Sequence, residues 1–449
     1  MIARTVLAAV LAALAAFPAA LAHAAPNHRA AGRLGGLPCP APCLVGGGQA
    51  AAAGIRLLGE PTVENQFPDA LVFRVQAESD AEIREVRLRY TFLPENRSSS
   101  ARAEFDPGTR VQATYTLRSG TRQVYIPPGK AIRYSWELRD VAGNELRTEE
   151  RQTAFDDPRF PWQQVTEGIV TVHYYRGERR DAEVMAQVAN ETIAKASALM
   201  GTALRFPVRI WAYASQRDFQ IALAHESVTH DPNVLGQAHE PDTFIMVVDR
   251  LSSPTALDTA RHELTHLVTA NALQGGPFKD LYPAWLNEGT AVYMQVQPND
   301  VGYIDALEKA IHEDRLIPLR ALTSGARARD VGLFYGQSYA LVKYLIETYG
   351  PQKFAQMIAE FKQNGDLDAT FLKVYGMDRD GLYRAWRVSV GLPPEPHQQA
   401  GQQGGTQTNG EVTTVLLVVG GAVLMMALAL AAAAGGLWLA RRARAESEE

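Results

Sequence analysis

Between residues 55 and 155 the chain alternates apolar and polar positions in short runs. "ALVFRVQAE", "EIREVRLRYTF", "VQATYTL" and "AIRYSWELRD" each place every second residue on one face, the period of a half-buried strand, with arginines on the other. "DPG", "RSG", "PPGK" and "VAGN" interrupt these runs with turn-forming residues, and the last predicts a hairpin from "RYSWEL" into "ELRTE". Strands at this spacing predict an N-terminal all-β sandwich of immunoglobulin or fibronectin type over 55–155, without the disulfide of antibody domains. Such a module is more often a spacer or docking unit than a catalyst.

"DDPRFPWQQ" marks a boundary, beyond which the pattern changes. "GIVTVHYY", "VRIWAYA" and "TFIMVVD" predict strands. The last is either an edge on which an extended peptide can pair or a buried central strand. "RDAEVMAQVANETIAKASALMG" places Met185, Val188, Ala189, Thr192, Ala196 and Leu199 on one helical face, with Gly201 as its stop. After Asp249 helical patterning continues to about Gly391. Together these elements predict an α+β domain over 165–391.

The outer segments have no such patterning. Residues 25–54, rich in Ala, Gly and Pro, cannot bury a core and read as a flexible leader; 392–411, rich in Pro, Gly and Gln, read as a stalk. Residues 1–24 carry Arg4, an apolar run and the small-residue ending Ala22-His23-Ala24, the layout of a secretory signal peptide cleaved before Ala25, or of an uncleaved signal anchor. Thr413 to Ala440 contains no charge and exceeds the roughly 20 apolar residues that span a bilayer. Arg441, Arg442 and Arg444 follow, so 441–449 is expected to be a cytoplasmic tail. The expected product is a single-pass cell-membrane protein whose folded part is extracellular or periplasmic. Cys39 and Cys43 in "CPAPC" are the only cysteines. They suit a small local disulfide or remain an incidental pair, and are too few for a four-ligand structural zinc site. The net charge of −5 and the absence of a basic block give no footprint of a nucleic-acid binder.

Candidate chemistry lies in "ARHELTHLVTA", residues 260–270. Ser253 can cap a helix with Pro254 at its first position, and no Pro or Gly follows up to Ala272. Positions four apart share a helical face, so His262 and His266 can hold one ion, with Glu263 beside the first. A titratable trio in so apolar a helix is costly unless paired or metal-bound. Zinc requires a third protein ligand and an open position. The metzincin pattern is excluded, because Thr269 and Ala272 stand where it needs Gly and His. "YPAWLNEGTAVYM" offers Glu288 instead, with 21 residues between it and His266 and the loop "NALQGGPFKDL" giving room to reverse.

"HELTH" followed by "WLNEGTA" resembles a gluzincin metallopeptidase, the second block being similar to the "WLNEGFA" of aminopeptidase-N-like enzymes. "FYGQSYALVKYLIETYG" and "DATFLKVYGMDRDGLYRAW" are similar to the C-terminal helices of the bacterial peptidase-MA-like domain. The resemblance covers about 165–390 and leaves out the sandwich, stalk and anchor. It implies a zincin-like fold, Zn2+ held by His262, His266 and Glu288, and Glu263 as the base that activates water. It also implies a tyrosine from a later helix at the oxyanion, Tyr335 or Tyr339, unless both are packing aromatics. The substrate would be a peptide or protein. The gap to Glu288 is slightly longer than in the aminopeptidases and their Gly-x-Met-Glu-Asn motif has no counterpart, so endopeptidase action is at least as well supported as exopeptidase action. Two other functions fit the same residues: a surface binding or adhesion protein with an inert peptidase-like domain, and a zinc hydrolase acting on a non-peptide bond. No partner of the sandwich is legible. Of the remaining candidates, His239 either lines a cleft or is solvated, and His312 sits on a surface helix. Trp285 packs in the core, and Asn287 contacts substrate or caps locally.

Overall fold

The computed structural model describes residues 54–394, except 121–123, 205, 224–234, 298–301 and 324–330. The expected signal peptide, nearly all of the leader with Cys39 and Cys43, most of the stalk, the 413–440 span and the tail lie outside the described residues. Among the described residues no helix is long and apolar enough to cross a membrane.

The N-terminal region is β-rich: β1 (Arg56–Leu57), β2 (Thr62–Gln66), β3 (Ala70–Phe92), β4 (Arg97–Arg102), β5 (Gly108–Arg118), β6 (Lys130–Asp140), β7 (Glu145–Arg147) and β8 (Arg151–Phe155). The sequence predicts two strands where the fold has one, β3. Its upstream half pairs with β2 and β5, its downstream half with β4 and β6, and the register slips between Glu78 and Ile83. The polar residues at the bend do not end the strand, because the Ser79 hydroxyl donates to Asp140 of β6 at 2.7 Å. A β-bulge accommodates the slip within one strand. Phe73 of the upstream half meets Tyr134 of β6 with ring centroids 5.0 Å apart, and the eight strands, hydrogen-bonded in one sheet, share a core that includes Leu71, Val86, Ala113 and Trp136. The predicted β6–β7 hairpin is present, its turn held by Asp140, which accepts from the backbone of Ala142 and Asn144. β4 ("RSSSAR") has no apolar alternation to announce it.

Five further strands form a second sheet: β9 (Gln163–Glu167), β10 (Val170–Tyr174), β11 (Val208–Tyr213), β12 (Gly236–His239) and β13 (Thr243–Val247), in the order β12-β13-β11-β10-β9. β10, β11 and β13 run parallel, with β9 and β12 antiparallel at the two edges. "TFIMVVD" is therefore an interior strand, and the edge is β12, a four-residue element ("GQAH") too short for periodicity to reveal.

The two sheet faces divide by alternation. Val172, Ile210, Phe244 and Met246 face α1 (Arg179–Met200) and α3 (Pro254–Leu273), in one core with Met185 and Leu264. Trp211, Tyr213 and Ile245 face α2 (Gln216–Ala222) and Phe67 of the β-rich region. The predicted face of α1 is buried at Met185, Ala189, Thr192, Ala196 and Leu199, and Gly201 ends the helix at φ 62°. The remaining helices are α4 (Ala284–Tyr293), α5 (Tyr303–His312), α6 (Val331–Tyr349), α7 (Pro351–Asn364), α8 (Leu367–Tyr375) and α9 (Arg379–Ser389). A small mixed sheet followed by helices is the expected α+β architecture.

Candidate metal centre

α3 begins as its sequence predicts: the Ser253 side chain accepts from the Ala256 N–H and Pro254 occupies the first turn, a cap worth about 1 kcal/mol. Ala260, Leu264, Leu267 and Val268 are buried, which turns His262 and His266 toward α4. Gly289 is what admits α4 so closely, since a Cβ there would overlap the Ser338 carbonyl of α6. Trp285 and Leu286 anchor α4 in the core, and Glu288 is left facing the histidines.

Glu288 Oε2 lies 3.3 Å from His262 Nε2 and 3.6 Å from His266 Nε2. One donor atom from each of the three residues falls within 4.8 Å of the others. The side chains keep 16–22 % of their surface, so an ion among them retains a position open to water or substrate. Burial raises the Glu288 carboxyl, but His266 and His262 reverse this and bring it down to about 2. Burial likewise opposes protonation of His262, yet the hydrogen bond and charge of Glu288, with help from Glu263, push it above its ordinary value.

Neighbouring residues orient these donors. His266 Nδ1 lies 3.1 Å from Asn287 Oδ1 and donates to it, leaving Nε2 directed at Glu288. Asn287 thus orients a ring of the cluster, a role that neither of its sequence readings includes. The Gln295 amide lies against His262, its Oε1 buried without a hydrogen bond of full geometry. Asp258, buried one turn before His262, accepts from the backbone of Val296 at 2.9 Å and Gln297 at 2.7 Å. It thereby pins the segment carrying Gln295 onto α3. Asp258 and Gln295 were not singled out from sequence, because only the folded return of the chain after α4 brings them to the site.

Glu263 is buried on the same turn as His262, packed under Gly236, where a Cβ would lie 2.9 Å from its Cγ. Of the two candidate tyrosines, Tyr335 lies beside His262, with ring centroids 6.4 Å apart. Tyr339, one turn on, packs with Lys343 at 5.8 Å and neighbours Tyr293. Tyr303 was not anticipated. Its ring stacks on Tyr335 at 4.8 Å and 17°, and burial together with the Glu288 charge pushes its hydroxyl up to about 12. Gly336 permits this contact, since a Cβ there would overlap the Tyr303 carbonyl. Trp285 is core as expected, and His312 is exposed at the end of α5. His239 lies outside the cluster, half-buried with its ring tilted against Tyr125.

Two imidazole nitrogens and a carboxylate oxygen, one imidazole fixed through its second nitrogen, form the donor set that suits zinc with a free position. Residues 188–391 match the Peptidase MA superfamily. Among solved structures, an M1 zinc metallopeptidase from Deinococcus radiodurans is similar at 14% identity over 74% of this chain and 93% of that one, with a TM-score of 0.30. A mutant form of an M1 zinc metallopeptidase from that organism, bound to a Tyr-Ser-Ala substrate, is similar at 13% identity over 73% of this chain and 92% of that one, with a TM-score of 0.32. A bromine derivative of BhCBM56 matches at 11% identity over 21% of this chain and 88% of that one, with a TM-score of 0.16. No curated protein matches the chain.

Proposed function

We propose that the chain is a zinc-dependent peptidase of gluzincin type acting on peptide or protein substrates. The observation that carries this is the convergence of His262, His266 and Glu288, with Glu263 on the same turn, inside the region that matches the Peptidase MA superfamily. Zinc bound there supplies a Lewis acid for the scissile carbonyl and a water of lowered pKa. Glu263 takes the proton from the attacking water and delivers it to the leaving amine. Tyr335, beside His262, donates to the carbonyl oxygen as negative charge develops on it. Tyr339 is left a packing role. β12 pairs only with β13 among the described residues, so its outer edge suits backbone pairing with an extended peptide.

The single core of the β-rich region, to which both halves of β3 contribute, supports an immunoglobulin- or fibronectin-like sandwich. For the cellular setting we retain the proposal drawn from sequence: export directed by 1–24, a 413–440 tether, the peptidase domain facing outward and 441–449 cytoplasmic. An inert adhesion module is disfavoured because all four chemical residues are present and gathered.

The test is cleavage of an internally quenched peptide library by the full chain, with zinc, with chelator, and with zinc restored. Loss with chelator and recovery with zinc support the reading. A zinc-loaded protein that cleaves no peptide but hydrolyses another acyl bond overturns it in favour of a non-peptide substrate.

A further inference from the structure

The two faces of β12 have different neighbours. Gly236 abuts Glu263 and Thr259 of α3, and Ala238, on the same face, packs with the α3 core. Alternation turns Gln237 and His239 the opposite way. There His239 meets Tyr125 of the β-rich region, ring centroids 4.5 Å apart, and Tyr125 is itself held by its hydroxyl, which donates to the Ala222 carbonyl at 2.5 Å. At the turn from β12 into β13, buried Asp242 lies 3.5 Å from Lys130 Nζ. Lys130, also buried, donates to Glu95 at 2.7 Å, and Arg209 pairs with Asp242 from within the sheet. Charges this enclosed resist displacement, because moving one strands the others without partners. Gly129, next to Lys130, fits directly onto Trp211, where a Cβ would lie 2.6 Å from the indole. Burial, with the Lys130 charge, holds the His239 imidazole down to about 3, so the ring lies against Tyr125 uncharged.

We propose that the β-rich region is a working part of the peptidase: Tyr125 and Lys130 clamp β12 so that its edge stays against Glu263. Both are positioning residues, acting through β12 on the wall of the cleft. The role of that wall rests on the function proposed above, whereas the clamp itself can be measured without it.

The experiment is hydrogen–deuterium exchange on the zinc-loaded full chain, comparing wild type, Tyr125→Ala and Tyr125→Phe. Amides in 236–247 are read against those of α6 to α9, alongside kcat and KM on a peptide that the wild type cleaves. In Tyr125→Ala the 236–247 amides exchange about tenfold faster or more and KM rises severalfold, while α6 to α9 and the zinc content stay unchanged. Tyr125→Phe keeps the ring on His239 but loses the hydrogen bond to the Ala222 carbonyl, so its 236–247 amides exchange at a rate between those of wild type and Tyr125→Ala. If Tyr125→Ala does not fold, Tyr125→Leu fills much of the volume without the ring contact and is read the same way. Unchanged exchange in 236–247, or equal acceleration across both regions, overturns the clamp. A wild type that cleaves no peptide overturns the proposed function instead, and leaves the exchange comparison to decide the clamp.

Discussion

His266 Nδ1 donates at 3.1 Å to Oδ1 of Asn287, the residue immediately before Glu288. One turn of α4 therefore supplies the third donor and also sets the ring that presents the second. Replacing Asn287 with Ala leaves α4 intact but frees the His266 ring. Zinc affinity is expected to fall about 10–100-fold, the usual effect of losing such a partner, as read by competition with a chromophoric chelator.

The charge state of the cluster makes metal-free and metal-loaded protein respond differently to pH. Glu288 is held down to about 2 from an ordinary 4.5, so its contribution to stability is full above about 4.5 and is lost as pH falls toward 2. His262 is held above its ordinary 6.5, so its contribution is full below 6.5 and is lost as pH rises through the folded value. The metal-free cluster is thus most stabilising between these limits. Zinc needs His262 deprotonated, so loading near pH 6.5 releases protons and tightens as pH rises. Calorimetric titrations in buffers of different ionisation enthalpy measure that release.

Gly289 carries the approach of α4 to α6, because a Cβ would strike the Ser338 carbonyl rather than a movable side chain. Gly289→Ala should cost about 1–3 kcal/mol, the range of overpacked cores, and weaken zinc binding by displacing Glu288. Gly59→Ala, with open space around it, should leave both unchanged. Thermal melts with and without zinc check the pair.

The two candidate tyrosines separate by kinetics. Tyr335→Phe removes the hydroxyl beside His262 and is expected to lower kcat about 10²–10³-fold, as loss of one oxyanion donor does, with KM little changed. Tyr339→Phe should stay close to wild type in both constants.

How much of this was legible in the sequence follows from the range of each interaction. The α3 signals are local: Ser253, Pro254 and the four-residue spacing of His262 and His266 lie within one helix, and periodicity exposes them. Glu288 is legible from its spacing, with 21 residues, the loop "NALQGGPFKDL" among them, between it and His266, and from the resemblance of "WLNEGTA" to the gluzincin block. The sequence predicts two strands where β3 is one, since polar Ser79 and Asp80 look like a break until Asp140 is folded against them. β12 has only four residues and no period, so the sequence leaves "TFIMVVD" open between edge and interior, and only the folded sheet decides for the interior. Tyr303, Gln295 and Asp258 reach the site through contacts between separate elements, which no spacing along the chain encodes.

The central claim is that His262, His266 and Glu288 hold zinc while Glu263 moves the proton. Zinc content and peptide cleavage measured on the same preparation of Glu263→Gln test it most directly. The account predicts one zinc per chain, as in the wild type, with cleavage reduced about 10²–10⁴-fold, the span of general acid–base catalysis. Undiminished cleavage by the zinc-loaded variant would contradict it.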